Sequence, residues 1–267
     1  VQSLSYQEFL LFHELEDNDD ALSKYINYGG LPGLKQVGLD DEEFVWDYIR
    51  AVFHTVMLKD IVERNNIRNV SFLNTLLRYF ADTIGKLSSL NNISKFMKSQ
   101  GLDVSVKSIA AYLNYFRDAY LLLTVDRFDI HGKKLLESNE KIYFGDVGLR
   151  NLIAGGERQG DIEKILENIV YQQLVRMGYA VSVGQLRAGE VDFVCTKSNE
   201  RLYVQVAYLI ASEETEEREF GSLDNIKDNY PKYVISMTPL VRRSDRQGVV
   251  HLGLREFLKN GFEKKLP

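Results

Sequence analysis

Gly189-Glu190-Val191-Asp192-Phe193-Val194 and, a short loop later, Tyr203-Val204-Gln205-Val206-Ala207-Tyr208 both alternate apolar with polar residues. Alternation with a period of two over runs this short predicts two strands, and the short loop between them predicts a hairpin. The alternation sets Asp192 at the end of one strand and Gln205 midway along its neighbour. Upstream, Asp161 to Met177 reads as a helix closed by Gly178, with Ile162, Ile165, Leu166, Ile169, Val170 and Leu174 as its buried stripe. Glu167 borders that stripe, so its carboxylate needs either a metal or a simple cap or ion-pair partner. Tyr179–Val183 predicts a strand before the hairpin. A charged helix from Glu213 to Tyr230-Pro231, strands at Tyr233–Met237 and Val249–Leu252, and a last helix over Arg255–Lys259 follow.

Outward from this C-terminal block the pattern changes to helices. Ser5-Tyr6-Gln7-Glu8 is a capping box opening a helix to about Leu15, and Ala21–Tyr28 is a second, ended by Gly29-Gly30. Glu42–Asn65 carries a long helical period, with His54 as a structural or surface residue. Three helices follow, around Phe72–Phe80, Ser88–Lys98 and Val106–Arg117, and then apolar runs at Leu121–Val125 and Lys141–Phe144. Three helices, a tight turn and a two-stranded ribbon with a basic tip predict a winged helix-turn-helix. Lys107, Asn114 and Arg117 on the third helix and Lys133 and Lys134 at the ribbon tip are its candidate nucleic-acid contacts. A winged helix that contacts protein, with these charges merely solvated, is the alternative. Asp146–Asn151 into Gly155-Gly156 reads as a linker.

The chain has 267 residues, 45% of them hydrophobic, which is more than one small core requires and predicts two or three domains. The boundaries expected are 1–66 for an all-helical segment, 67–157 for the winged helix and 158–267 for an α/β domain, an α+β multi-domain class. The net charge of -5 argues against uniform coating of nucleic acid. From Arg64 to Gly145, however, twelve basic residues face seven acidic ones, leaving +5 there and -10 elsewhere. Duplex DNA is therefore a candidate partner of the middle segment, with a protein partner as the alternative. A single cysteine, Cys195, forms no internal disulfide and reads as a core thiol in a reducing cytoplasm. No run approaches the roughly 20 apolar residues that span a bilayer, so no membrane partner is expected. The acid run Glu213–Glu219 is expected to stay solvated at its helix N-terminus, and Arg242, Arg243 and Arg246 to lie in a loop.

The ordered set Tyr28-Gly29-Gly30-Leu31-Pro32, Lys59-Asp60-Ile61-Val62-Glu63-Arg64, Tyr143-Phe144-Gly145-Asp146-Val147-Gly148-Leu149, Leu166-Glu167-Asn168-Ile169-Val170-Tyr171, Glu190–Val194 and Val204–Tyr208 resembles a known family. So do Arg218-Glu219 and Asp228-Asn229-Tyr230-Pro231-Lys232. Together they resemble the C-terminal part of prokaryotic AAA-family P-loop ATPases: a helical lid, a winged helix and a PD-(D/E)XK-like, restriction-endonuclease-like domain. The resemblance implies a parent protein that binds ATP and magnesium through a preceding nucleotide-binding core. No Gly-x-x-x-x-Gly-Lys-Ser/Thr occurs in this chain, so no cofactor is expected of it, and it reads as a fragment beginning after that core.

Phosphodiester hydrolysis on such a domain uses two anionic ligands for magnesium and a lysine that eases ionisation of the attacking water. Asp192 fills the first position, with Glu167 on the neighbouring helix. The second acid is replaced by Gln205 and the lysine by Ala207, so the catalytic constellation Glu167, Asp192, Gln205 is degenerate and binds no metal. A working magnesium-dependent nuclease would have to borrow a base such as Tyr203 or Tyr208. The reading that results is a nucleic-acid- or partner-binding module without catalysis of its own.

Overall fold

The computed structural model describes residues 2–156, 159–187, 189–239, 244–246 and 248–263. The protein is mixed α+β and forms two compact units. One comprises Val1–Thr124 with Asn139–Arg158, and the other Val125–Ser138 with Gln159–Pro267. The expected 66/67 boundary falls inside the first unit, and the expected 157/158 boundary lies one residue from its end.

The first unit opens with α1 (Tyr6–His13), whose N-cap Ser5 forms the full capping box with Glu8. Helix α2 (Asp19–Tyr28) starts on the Asn18 cap and stops at Gly29, where φ is +75°. A short α3 (Leu34–Val37), absent from the sequence reading, precedes α4 (Glu42–Thr55). The long helical period continues past α4 as a π-helical stretch, Val56–Glu63, with wider turns. Next come α5 (Val70–Asp82), the two-residue β1 (Leu87–Ser88), α6 (Leu90–Ser99) and α7 (Val106–Asp118). Their apolar faces meet through ring pairs such as Phe72–Tyr112 and Phe80–Phe116, so Tyr112 serves packing.

The expected linker is instead α8 (Val147–Ala154), and it lies at the centre of this unit. It packs against α2, α4 and α5, and Val147 through Asn151 are all buried. Asp146 caps it: its carboxylate accepts from Leu149 N at 3.0 Å, Gly30 N at 2.9 Å and the Ser3 hydroxyl at 2.7 Å. Arg150 donates twice to the Ala81 carbonyl near the end of α5, at 3.1 and 2.9 Å. Asn151 donates to the Ile26 and Asn27 carbonyls at the end of α2. Two helix C-termini are thus capped by side chains from a third helix, supplying orphan carbonyls that water cannot reach. The glycines follow from this closeness. A Cβ on Gly29 would run into the Asp146 carboxylate, and one on Gly148 into the Tyr28 carbonyl.

Strands β2 (Leu122–Asp129) and β3 (Lys134–Phe144) are hydrogen-bonded neighbours and longer than the two apolar runs predicted. The chain passes between units along them. At Glu140 and Lys141, β3 pairs with β1, in the first unit. At Arg127–Asp129, β2 pairs in parallel with Val183–Gln185, in the second. The outer part of the ribbon, expected as the wing, is thus also continuous with the sheet of the C-terminal block.

The second unit orders its strands β2-β4-β5-β6-β7-β9-β8. They are β4 (Ala180–Gln185), β5 (Glu190–Lys197), β6 (Glu200–Ala207), β7 (Lys232–Ser236), β8 (Ser244–Arg246) and β9 (Val249–Gly253). The predicted β5–β6 hairpin is present and antiparallel, while β6, β7 and β9 run parallel. Helix α9 (Ile162–Arg176) packs on β4 to β6, α10 (Glu213–Asp224) on β5, β6, β7 and β9, and α11 (Leu254–Asn260) on β7 and β9. Val191, Val194, Tyr203, Val234 and Val249 meet Phe220, Leu223 and Ile226 from α10 and the loop after it in one core. Arg246 sits on β8 instead of in a loop, whereas Arg242 and Arg243 lie outside the described residues. Helix α10 ends at Asp224, short of the expected Tyr230. Among the described residues no helix is long and apolar enough to cross a membrane.

Candidate functional site

Helix α9 presents Glu167 to the protein interior, where the residue is 1% exposed. The helical stripe that buries Leu166 and Val170 takes Glu167 with it, and Lys164, one turn back, meets its carboxylate at 2.5 Å. Lys164 is thus one ion-pair partner of this buried carboxylate.

Asp192 owes its position to an irregularity in β5. Ser182 pairs with Val194 but Gly184 with Val191, so β5 carries one residue more than β4 across this interval, a bulge. On its other edge, the paired positions of β5 and β6 end at Phe193 and Val204. Beyond that point side chains replace the backbone ladder. The Val206 amide donates to Asp192 Oδ2 at 2.9 Å, and the Asp192 amide donates to Gln205 Oε1 at 3.2 Å. Each residue closes the strand end for the other. A buried strand end needs this, because unpaired backbone amides are costly away from water.

Gln205 then hands the network to a residue that the sequence reading left in solvent. Its Nε2 donates to Glu219 Oε2 at 3.1 Å. Glu219 is buried on α10, and its other oxygen receives Arg218 Nε at 2.8 Å and Nη2 at 2.7 Å. The signal was available in the spacing. Glu219 stands four residues before Leu223 and next to Phe220, on the face that α10 turns to the sheet, while Glu213, Glu214 and Glu217 remain exposed.

This explains why an amide stands at 205. The position must accept from a backbone N–H and donate to a carboxylate, which an uncharged amide does and an ionised, acceptor-only carboxylate cannot. Gln205→Glu would bring a second carboxylate against Glu219. The expected result is a loss of about 1 to 3 kcal/mol of stability in metal-free buffer, from like-charge contact and a lost donor. Recovery of that loss in millimolar magnesium or manganese, followed by thermal melts, would mark the acid set as a latent metal site.

Of the remaining chemistry-bearing residues, all but Tyr208 are buried. Ala207 is buried. Tyr203 is fully buried and donates its hydroxyl to Asp228 at 2.5 Å; burial, and then that bond, push its pKa well above the usual phenol range. It cannot serve as the borrowed base. Tyr208 is part-exposed just past the end of β6. Burial likewise raises the Cys195 thiol, consistent with a core residue. Among the described residues no three His, Cys, Asp or Glu side chains group as metal ligands.

The candidate nucleic-acid contacts are exposed. Lys107, Asn114 and Arg117 share one side of α7, opposite the buried Ile109, Leu113 and Phe116. Lys133 and Lys134 follow a turn whose Asp129 carboxylate accepts the His131 and Gly132 amides at 3.0 and 2.9 Å. The first three residues belong to one unit and the two lysines to the other.

Comparison with known proteins places relatives in both bacteria and archaea. An uncharacterized protein of Haemophilus influenzae is 35% identical over 240 residues, covering 88% of this chain and 58% of its own length. One from Methanocaldococcus jannaschii is 29% identical over 245 residues, covering 85% of this chain and 53% of its own length. The chain thus spans between half and three-fifths of the curated relatives it matches. A crystal structure of protein VC1899 from Vibrio cholerae aligns over 81% of this chain and 57% of that one, at 12% identity and a TM-score of 0.25. Residues 19–160, which run from the start of α2 past α8, match the domain of unknown function DUF8612, and the chain belongs to that family.

Proposed function

We propose that this chain is the nucleic-acid-binding C-terminal portion of an AAA-family ATPase, with a winged-helix segment in its middle and a PD-(D/E)XK-like domain that has lost its chemistry. The observation that carries the second half of this reading is the reciprocal pairing of Asp192 and Gln205 across the end of β5 and β6. Groups that would hold a magnesium ion in a working nuclease here hold the fold. The first half is supported by the +5 balance from Arg64 to Gly145 and by the exposed side of α7. ATP and magnesium belong, in this reading, to the nucleotide-binding core of the parent protein.

Affinity for duplex DNA measured against salt tests the proposal. Binding at about 50 mM salt should weaken steeply as salt rises, and each phosphate contact removed should lower the log–log slope by about 0.9. Replacing Lys107 and Arg117 by alanine should therefore flatten it. Absence of binding at low salt, or binding indifferent to salt, would refute the DNA reading and leave a protein-docking module.

A magnesium-dependent nuclease is the second reading, favoured by one observation: Glu219 returns a buried carboxylate to the neighbourhood of Asp192 through Gln205. Cleavage of labelled DNA with magnesium or manganese that disappears in Asp192→Asn, which keeps an oxygen for the Val206 amide, would establish it in place of the first.

A further inference from the structure

The first unit contains a surface feature that none of this uses. A trough of about 370 Å³ runs between α4 with its π-helical continuation, α5 and the end of α8. Phe53, Met57, Leu58, Val62, Leu77 and Ile153 supply an apolar floor. A second, smaller hollow, lined by Trp46, Arg50, Leu152, Gly155 and Gly156, shares Arg50 and Leu152 with the first and extends it along α4. From Trp46 to Val62 the wall covers about 24 Å at the helical rise, the length of roughly 16 helical residues.

The charge of the trough is one-sided. Among the described residues, Arg50 and Arg78 are its only charged lining side chains, His54 lies between them on the α4 wall, and no carboxylate lines either hollow. The chain as a whole is acidic, so this is a local departure. Arg50 pairs with Asp47 on its own helix. Among the described residues, Arg78 and His54 make no ion pair. Leu58, half exposed at 52%, stands in this cationic frame on the π-helical wall, and wide turns of this kind recur at functional sites. An apolar floor of one helix in length between cationic edges is the complement of an amphipathic helix edged with Asp and Glu.

We propose that this trough is the docking site for an acidic-edged amphipathic helix of a partner protein. The helix lays its i, i+3, i+4 and i+7 apolar residues along Met57, Leu58 and Leu77, and its carboxylates meet Arg78, His54 and Arg50. The site is independent of the α7 face, so it stands or falls separately from DNA binding.

Trp46, the chain's only tryptophan, lines the smaller hollow that extends the trough along α4 and reports its occupancy. The probes are two synthetic helix-forming peptides of roughly 16 residues with the same Leu/Phe face, one edged with Glu and one with Lys. The Glu-edged peptide should change Trp46 emission with at least tenfold tighter binding than the Lys-edged one. The double variant Arg50→Glu, Arg78→Glu, both at exposed positions, should reverse that order while melting as the parent chain does. Equal affinity for the two peptides, no emission change with either, or an order unaltered in the double variant would overturn the proposal.

Discussion

Replacing Asp146 by alanine is expected to lower the urea midpoint of the first unit by roughly 1.5 to 2.5 M. The carboxylate is the meeting point of three segments distant in sequence, accepting from Ser3, Gly30 and Leu149 in an interior that excludes water. Its removal deletes the N-cap of α8 and leaves the buried Gly30 and Leu149 amides without their acceptor, while the Ser3 hydroxyl keeps the Gly145 carbonyl. At about 1 kcal/mol for the cap and 1 to 3 for each stranded group, partly relieved by relaxation, the loss comes to about 3 to 5 kcal/mol. A urea slope near 2 kcal/mol/M converts that to the stated shift. Trp46, in the same unit, is the fluorescent reporter. An unchanged midpoint would mean that α8 is not held by this contact.

The same group has a pH signature. Burial raises the Asp146 pKa above the ordinary aspartate value of 3.8, opposed by hydrogen bonds from Ser3, Gly30, Leu149 and Gly148. A carboxyl with a raised folded-state pKa binds its proton more tightly in the native protein. Stability from this group is therefore greatest in acid and falls as pH rises from about 3.8 through the raised value. The stability of the protein relative to Asp146→Asn, which does not titrate, should decline with pH across that window and level off above it. A difference that rises across that window would contradict the burial argument.

The second large effect is expected in the other unit. Asp192→Ala removes the acceptor of the Val206 amide, where the β5–β6 backbone pairing has already ended, and should destabilise that unit by about 2 to 4 kcal/mol. Cys195, three residues further along β5, is buried and is the only cysteine, so its reactivity toward a thiol reagent in rising urea reports the opening of this strand. Labelling should begin at clearly lower urea in Asp192→Ala than in the parent chain. Equal labelling curves would show that the carboxylate is dispensable to the fold. If the aspartate is a structural clamp, DNA affinity should meanwhile be unchanged in native buffer.

Local signals in the chain were read correctly where one stretch decides its own conformation. The Ser5–Glu8 box, the period-two hairpin around Asp192 and Gln205, and the stripe of α9 are all written within a dozen residues, and each element forms. Helix α8 was illegible for the opposite reason. Eight residues containing Gly148, Arg150 and Asn151 and followed by two glycines carry no strong period, and the helix exists because α2 and α5 need its side chains at their ends. Glu219 was hidden inside an acid run whose other members are solvated, and only the approach of α10 to β6 distinguishes it. The substitutions at 205 and 207 were visible as letters, but what Gln205 does instead was not.

The sequence by itself determined the mixed α+β class, the places of most helices and strands, the single buried thiol and the absence of a lysine beside Gln205. The tertiary structure alone decided that a supposed linker is the centre of the first unit, that the outer ribbon joins the C-terminal sheet, and that Glu219 closes the network begun at Asp192. The physical reason is the range of the forces involved. Turn chemistry and side-chain period act over a few residues, whereas a buried polar group is satisfied by whichever distant segment the fold brings within about 3 Å.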